Sequence, residues 1–197
     1  MVRSSSSVLM VAGLVLFAAG LALWHAHAFD LALHRGLLLD SGGPWVRWTL
    51  GLSVLGGFLV MGPVALAVAA WLAWQGGRAR ALWLFATIAS GRLLVEGIKL
   101  LVQRPRPPLE DRLEHISSWS FPSSHSAGTM MTAVAALALF AEERWPVWLA
   151  AILAAGAVGW SRVALGVHWP SDVLAGWGFG LAWVGAAWRY GGPMRSG

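Results

Sequence analysis

The sequence predicts an all-α integral membrane protein: one domain over residues 1–197, built from six transmembrane helices. Three observations carry this. Hydrophobic residues make up 57% of the chain and charged residues only 12%, where a soluble domain has about 25% charged; mean hydropathy is +0.64. The apolar residues gather into runs of about twenty, the length that crosses a bilayer as a helix. Of the 14 tryptophans, Trp24, Trp45, Trp48, Trp71, Trp74, Trp83, Trp145, Trp148 and Trp188 stand near the ends of those runs, as an interfacial belt does. The net charge of +5 in so apolar a chain points to anionic lipid and asymmetric loops, not to nucleic acid. The absence of cysteine excludes thiol catalysis, disulfides and thiolate metal sites.

In chain order, Val8 to Trp24 is the first apolar run. With Arg3 before it and Ala26-His27-Ala28 after it, it also has the look of a secretory signal; a retained membrane helix is the expectation. Phe29 to Asp40 mixes apolar residues with Asp30, His34 and Arg35 and reads as an interfacial helix, with His25, His27 and His34 as interfacial polar residues rather than a metal cluster. Ser41-Gly42-Gly43-Pro44 breaks the chain. Trp45 to Gln75 holds the second span, and Gly76-Gly77-Arg78-Ala79-Arg80 is a basic turn.

Ala81 to Val102 is the third span and carries Arg92, Glu96 and Lys99. Arg92 and Glu96 are four apart, share a face and can form a structural pair. Gln103 to Phe121 is a polar loop broken by Pro105, Pro107 and Pro108, with Pro122 directly after it. Ser123 to Ala141, Pro146 to Leu165 and Pro170 to Tyr190 are the fourth, fifth and sixth spans. A turn at Glu142-Glu143-Arg144 separates the fourth from the fifth, and a polar tail follows from Gly191.

Counting crossings puts the end of span three, the start of four, the end of five and the start of six on one face. Lys99, Arg106, His125, Arg162, His168 and Asp172 all fall there. Chance does not sort six polar residues this way, so the pattern predicts a composite active site in a motif core of residues 99–172. Within Ser161 to Asp172, Asp172 lies four residues after His168. A helix starting near Pro170 lets that carboxylate reach back to one ring nitrogen, leaving the other oriented and nucleophilic. Arg162 offers a planar fork of donors suited to phosphate. The plainer alternative is a His and an Asp capping a membrane helix, with Arg162 snorkelling. Likewise Lys99 and Arg106 could bind lipid headgroups, and Ser123 could cap a helix.

Three patterns in order, Lys99 with Arg106-Pro107 seven residues on, Pro122-Ser123-Ser124-His125, and Ser161-Arg162 leading to His168 and Asp172, resemble the type 2 phosphatidic acid phosphatase superfamily. That family includes bacterial lipid phosphatases and, more distantly, vanadium haloperoxidases. The resemblance implies that His168 is the nucleophile and forms a phosphohistidine, that Asp172 orients it, and that His125 is the general acid and then the base for water. It gives Lys99, Arg106, Arg162, Ser123 and the backbone N–H of Ser124 to the phosphoryl oxygens. Ser124 departs from the glycine usual at its position; its N–H can still donate, so function is expected to be retained.

The physics of phosphoryl transfer agrees. Three fixed cations and the N-terminus of a helix can neutralise the anionic transition state without a metal ion or cofactor. A neutral His168 and a protonated His125 predict a bell-shaped pH–rate profile. Arg104, Arg112 and His115 fall in the same loop, where a headgroup-binding and a solvated or lipid-facing role stay open; Glu110, Asp111 and Glu114 read as a solvated face.

The expected function is dephosphorylation of a membrane lipid phosphate or diphosphate, with undecaprenyl diphosphate and phosphatidylglycerophosphate favoured by family analogy, phosphatidic acid and lipid A phosphates after them. A phosphotransferase using the same intermediate, or a non-catalytic membrane transporter or binding protein, is the alternative. The partners implied are the lipid substrate and the bilayer. Arg3, Arg78, Arg80, Arg144, Arg189 and Arg195 oppose Arg35, Arg47, Arg104 and Arg112 across the chain. This weakly places the site on the periplasmic side of a bacterial inner membrane, with both termini cytoplasmic.

Overall fold

The computed structural model describes residues 3–140 and 145–193, and every long element among them is a helix. They are α1 (Arg3–His25), α2 (His27–Leu37), α3 (Val46–Gly56), α4 (Phe58–Trp74), α5 (Arg78–Val102), α6 (Ser124–Phe140), α7 (Trp145–Ala164) and α8 (Pro170–Gly191), with a 3-10 turn at Leu109–Asp111. The turn expected at Glu142-Glu143-Arg144 and the last residues of the tail lie outside the described residues.

Small residues decide how the first and last helices meet. Gly13 of α1 sits against the backbone of Ala182, Gly20 against Ala175, and Gly178 and Gly185 of α8 against Phe17 and Met10. A methyl group at any of the four would overlap main chain. Where lipid tails are as apolar as the helices, close backbone approach supplies the attraction through van der Waals contact. α1 is thereby built into the bundle.

α6 is the inner helix. Met131, Val134 and Ala135 are fully buried, and α3, α4, α5, α7 and α8 all touch it. Large apolar side chains are exposed instead on the outer helices: Val11 and Val15 of α1, Leu59 of α4, Leu93 and Leu101 of α5, and Leu153 of α7. By length and composition α1, α5 and α7 can each cross a membrane, and the bent pair α3–α4 makes a fourth span if counted as one. That is fewer than the six expected. The difference lies in α6, which is only 17 residues long, and α8, whose 22 residues include Gly176, Gly178, Gly180 and Gly185. Both are surrounded by protein, so their sequences answer to helix packing more than to lipid.

The second span is not one helix. It breaks at Gly57 with a bend of 44° between α3 and α4, and the Gly57 N–H donates to Val54 O, one residue short of the α-helical pattern. Adjacent glycines at 56 and 57, with Pro63 inside α4, weaken the helix there.

The site end of the bundle is closed by loop contacts. The segment after α5 bonds to the end of α7 (Leu113 N to Leu165 O, 2.9 Å) and back to itself (Ser120 N to Arg104 O, 2.9 Å), and Ser123 N donates to Asp172 O at 3.0 Å. Gly166 adopts φ +70°, and a side chain there would run into the Asp111 carbonyl. Only glycine permits both the turn and that approach.

Candidate active site

Pro170 opens α8 and Asp172 sits at its third position, where its Oδ2 accepts the Trp169 N–H at 3.0 Å. A carboxylate here satisfies a free N–H and the positive end of the helix. The same oxygen faces His168 Nδ1 at 3.3 Å, long for a hydrogen bond, and accepts from Ser120 Oγ at 2.5 Å. His168 is held from behind by its own N–H, which donates to Arg162 O at 3.1 Å. Its Nε2 meets Arg106 Nη1 at 3.0 Å. An arginine donor on Nε2 and a carboxylate at Nδ1 assign the proton to Nδ1 and a lone pair to Nε2. Burial above all, then Arg106, Arg162, Lys99 and His125, press the His168 pKa well below its ordinary 6.5. The ring is therefore neutral near pH 7.

The cations converge. Arg106 donates through Nε to Ser118 O (2.6 Å), through Nη2 to Ser118 Oγ (3.0 Å) and through Nη1 to Val167 O (2.6 Å), which fixes its fork beside His168. Lys99 is buried and reaches the same Ser118 Oγ at 3.5 Å. Arg162 is wholly buried; its Nη1 donates to Glu114 Oε2 at 2.7 Å and to Ser53 Oγ. Its Nε and Nη2 have no partner among the described residues. Burial first, and then Arg162, lower the Arg106 pKa to about 10. Like charges held this close favour an anion between them.

α6 begins beside this cluster. Ser123 is buried and caps it, its Oγ accepting from Ser126 N (3.4 Å) and Ser126 Oγ (3.0 Å), so the capping role left open by the sequence is present. Ser124 Oγ donates to Glu96 Oε1 at 2.7 Å. His125 makes no ring hydrogen bond among the described residues, and its Nε2 lies against the break at Gly57, where an added Cβ would stand 3.4 Å from it.

Several sequence expectations change. Arg104 is neither a headgroup ligand nor a solvated or lipid-facing residue. It is buried and donates to Asp172 Oδ1 (2.5 Å), Ser171 Oγ (2.7 Å) and Asp30 Oδ2 (2.8 Å). Asp30 in turn accepts the Ser171 N–H at 3.0 Å, so α2 is locked to the start of α8 through two buried carboxylates sharing one arginine. Glu114 is not simply solvated, since it holds Arg162; Asp111 faces the buried His34 at 3.6 Å. Arg112 folds onto Pro107 O at 2.8 Å, while Glu110 and His115 stay exposed. Arg92 and Glu96 share a helix face but form no ion pair within 4.0 Å.

Sequence reasoning did not assign Asp30, Ser53, Ser118, Ser120 or Ser171 to the site. A signal existed for Asp30 alone, which shares a helix face with His34 four residues on; both are buried.

Residues 80–194 match the PAP2 superfamily. A phosphatidylglycerophosphatase B of Bacillus subtilis is 31% identical over 146 residues, 70% of this chain and 71% of that protein. An undecaprenyl-diphosphatase of Sulfolobus acidocaldarius is 38% identical over 68 residues, 34% of this chain and 31% of that one. The crystal structure of a transmembrane PAP2 type phosphatidylglycerolphosphate phosphatase from Bacillus subtilis shares the fold with a TM-score of 0.75 at 27% identity, covering 92% of this chain and 93% of that one.

Proposed function

The chain belongs to the PAP2 superfamily, and from that premise we propose that it is a single-domain membrane lipid phosphatase working through a phosphohistidine. The observation that carries this is Arg162: wholly buried beside His168, it holds two donor groups that no described residue satisfies. Buried donors in native proteins are almost always paired. A phosphoryl group pairs these two.

The terminal phosphate enters among Lys99, Arg106 and Arg162, and Arg106 Nη1 moves from His168 Nε2 onto a phosphoryl oxygen. The freed Nε2 lone pair attacks phosphorus as the bond to the lipid oxygen breaks, and His125 donates a proton to that oxygen. Asp172 stabilises the positive charge developing on the ring. His125 then takes a proton from water, which attacks phosphorus, breaks the N–P bond and releases inorganic phosphate. Three cations and the Ser124 N–H at the start of α6 stabilise the anionic transition state in both steps.

A lipid diphosphate such as undecaprenyl diphosphate, or a phosphatidylglycerophosphate, is the favoured substrate, after the relatives named above. All six apolar helical units cross the bilayer in this proposal, with α6 and α8 inside the bundle. Arg104 joins the buried site residues. Its removal from the loop count favours a site on the periplasmic side of a bacterial inner membrane, with cytoplasmic termini. A reporter fused after Gly197 then reads cytoplasmic.

The test is phosphate release by the purified protein in detergent with EDTA, across undecaprenyl diphosphate, phosphatidylglycerophosphate and phosphatidic acid, beside His168→Ala. Release that survives EDTA and is lost in the variant is expected. Release undiminished in His168→Ala, or release from none of the lipids, overturns the proposal.

A further inference from the structure

Arg92 stands apart from the cations around His168. It lies seven residues before Lys99 on α5, about 10 Å deeper along the helix axis. Among the described residues its Nε is buried without a hydrogen-bond partner, and no carboxylate lies within 4.0 Å of the guanidinium. The fold makes room for it all the same. A methyl group at Gly128 of α6 would overlap the guanidinium, so the glycine forms a slot. The Phe58 ring faces the cation at 5.5 Å. An arginine at membrane depth with no carboxylate in contact is costly, and such residues mark function; Glu96, one turn on, acts on it only across a longer distance.

The slot opens on a groove of about 450 Å³ between α4 and α5, lined by Phe58, Leu66, Phe85 and Leu93 and charged only at Arg92 and Glu96. Glu96 connects groove to site, because it accepts the Ser124 hydroxyl at 2.7 Å and Ser124 adjoins His125. A chain leaving the site for the bilayer by this route passes Glu96 and then Arg92. Ser124, standing where a glycine is usual, holds the Glu96 carboxylate by a hydrogen bond, and Glu96 makes no contact ion pair with Arg92.

We propose that Arg92 binds a second phosphate of the lipid, lying between the phosphate held by Lys99, Arg106 and Arg162 and a hydrocarbon chain seated in the α4–α5 groove. The inference rests on the lipid phosphatase reading. It selects lipids with two phosphates, bonded directly or across a short polyol, over lipids with one. Glu96 is the unfavourable neighbour of such an anion, and its hydrogen bond to Ser124 keeps it engaged elsewhere.

The test measures equilibrium binding of non-hydrolysable probes to the full chain in nanodiscs, so that it is independent of turnover. The probes are a prenyl methylenediphosphonate, a diacyl lipid with two phosphonates joined through glycerol, and a prenyl monophosphonate. At least one two-phosphonate probe should bind about tenfold tighter than the monophosphonate, and Arg92→Gln should erase that advantage while leaving the monophosphonate within about threefold. Which probe shows the advantage identifies the spacing. Should Arg92→Gln fail to fold, Arg92→Lys carries the test: it keeps the charge but loses the fork, so the advantage should shrink several-fold. Equal binding of all probes by the wild type, an equal loss for all probes in Arg92→Gln, or an unchanged advantage in Arg92→Lys overturns the proposal. Failure to release phosphate from any lipid, with the binding difference intact, would count against hydrolysis and not against this subsite.

Discussion

Replacing Arg104 by methionine should damage stability and catalysis together, and the sizes can be worked out. Arg104 is 5% exposed and both of its carboxylate partners are 0% exposed. Breaking a buried ion pair by removing one member costs about 3–5 kcal/mol, because the remaining charge is left uncompensated. Here two carboxylates lose one cation, but neither is stripped of donors. Asp172 keeps Ser120 Oγ and Trp169 N, and Asp30 keeps Ser171 N. The lower part of the range, about 3–4 kcal/mol, is therefore expected. For a chain of this size each kcal/mol moves Tm by about 2–4 °C, so Tm should fall by roughly 6–16 °C.

Activity should fall by about ten- to a hundredfold, toward the scale of a 1 Å misplacement of a reacting group, because Asp172 Oδ1 loses its arginine and only Oδ2, held by Ser120 Oγ and Trp169 N, still sets the carboxylate against His168. Thermal unfolding in detergent, followed by the fluorescence of the 14 tryptophans, gives the first quantity and phosphate release the second. Adding Asp30→Asn to Arg104→Met removes one orphaned charge, so the double variant should recover part of the lost Tm. A Tm within about 2 °C of wild type for Arg104→Met, or strictly additive losses in the double variant, would refute the shared-cation account.

Two further outcomes are expected. The His168 pKa is depressed below 6.5, so between the folded value and 6.5 the unfolded chain binds a proton that the folded chain does not. Stability should rise with pH through that window and gain nothing more from this group above it. The acid limb of kcat/KM set by His168 should likewise lie below pH 6.5, and an acid limb at or above 6.5 would contradict the assignment. Gly57→Ala places a methyl 3.4 Å from His125 Nε2 and 3.1 Å from Val54 O. It should lower kcat by about ten- to a hundredfold with little change in Tm, and unaltered kcat would show that the break in the second span does not position His125.

What could be read in the sequence follows distance along the chain. His168 and Asp172 are four residues apart, so the start of one helix suffices to bring them together, and Pro170 announces that start. Counting crossings placed Lys99, Arg106, His125 and Arg162 at the same end, because the order of apolar runs fixes which helix ends share a face. The anchoring network was hidden for the opposite reason. Arg104 joins Asp30, 74 residues away, to Asp172, 68 residues away, and Arg162 meets Glu114 across 48. A lone Asp in an amphipathic helix and an Arg in a Pro-rich loop look the same whether they face water or each other. Hydropathy is the weaker guide at α6 and α8, because it measures fitness for lipid and both helices pack against several others.

The same contrast divides the site physically. The His168 side is rigid, with Asp172, Arg104, Asp30, Ser120 and Ser171 satisfying one another in the interior. The His125 side rests on a bent helix pair joined at Gly57, without a ring hydrogen bond to a described residue. Irregular backbone at membrane depth is tolerated where it lines a cavity. α4, which begins at that break, also forms one wall of the groove holding Arg92. Under the proposed mechanism, His168 as a nucleophile held fast and His125 as an acid–base group beside the bend fit a reaction in which phosphorus must arrive at one invariant point, while the leaving group and its chain must depart sideways into lipid.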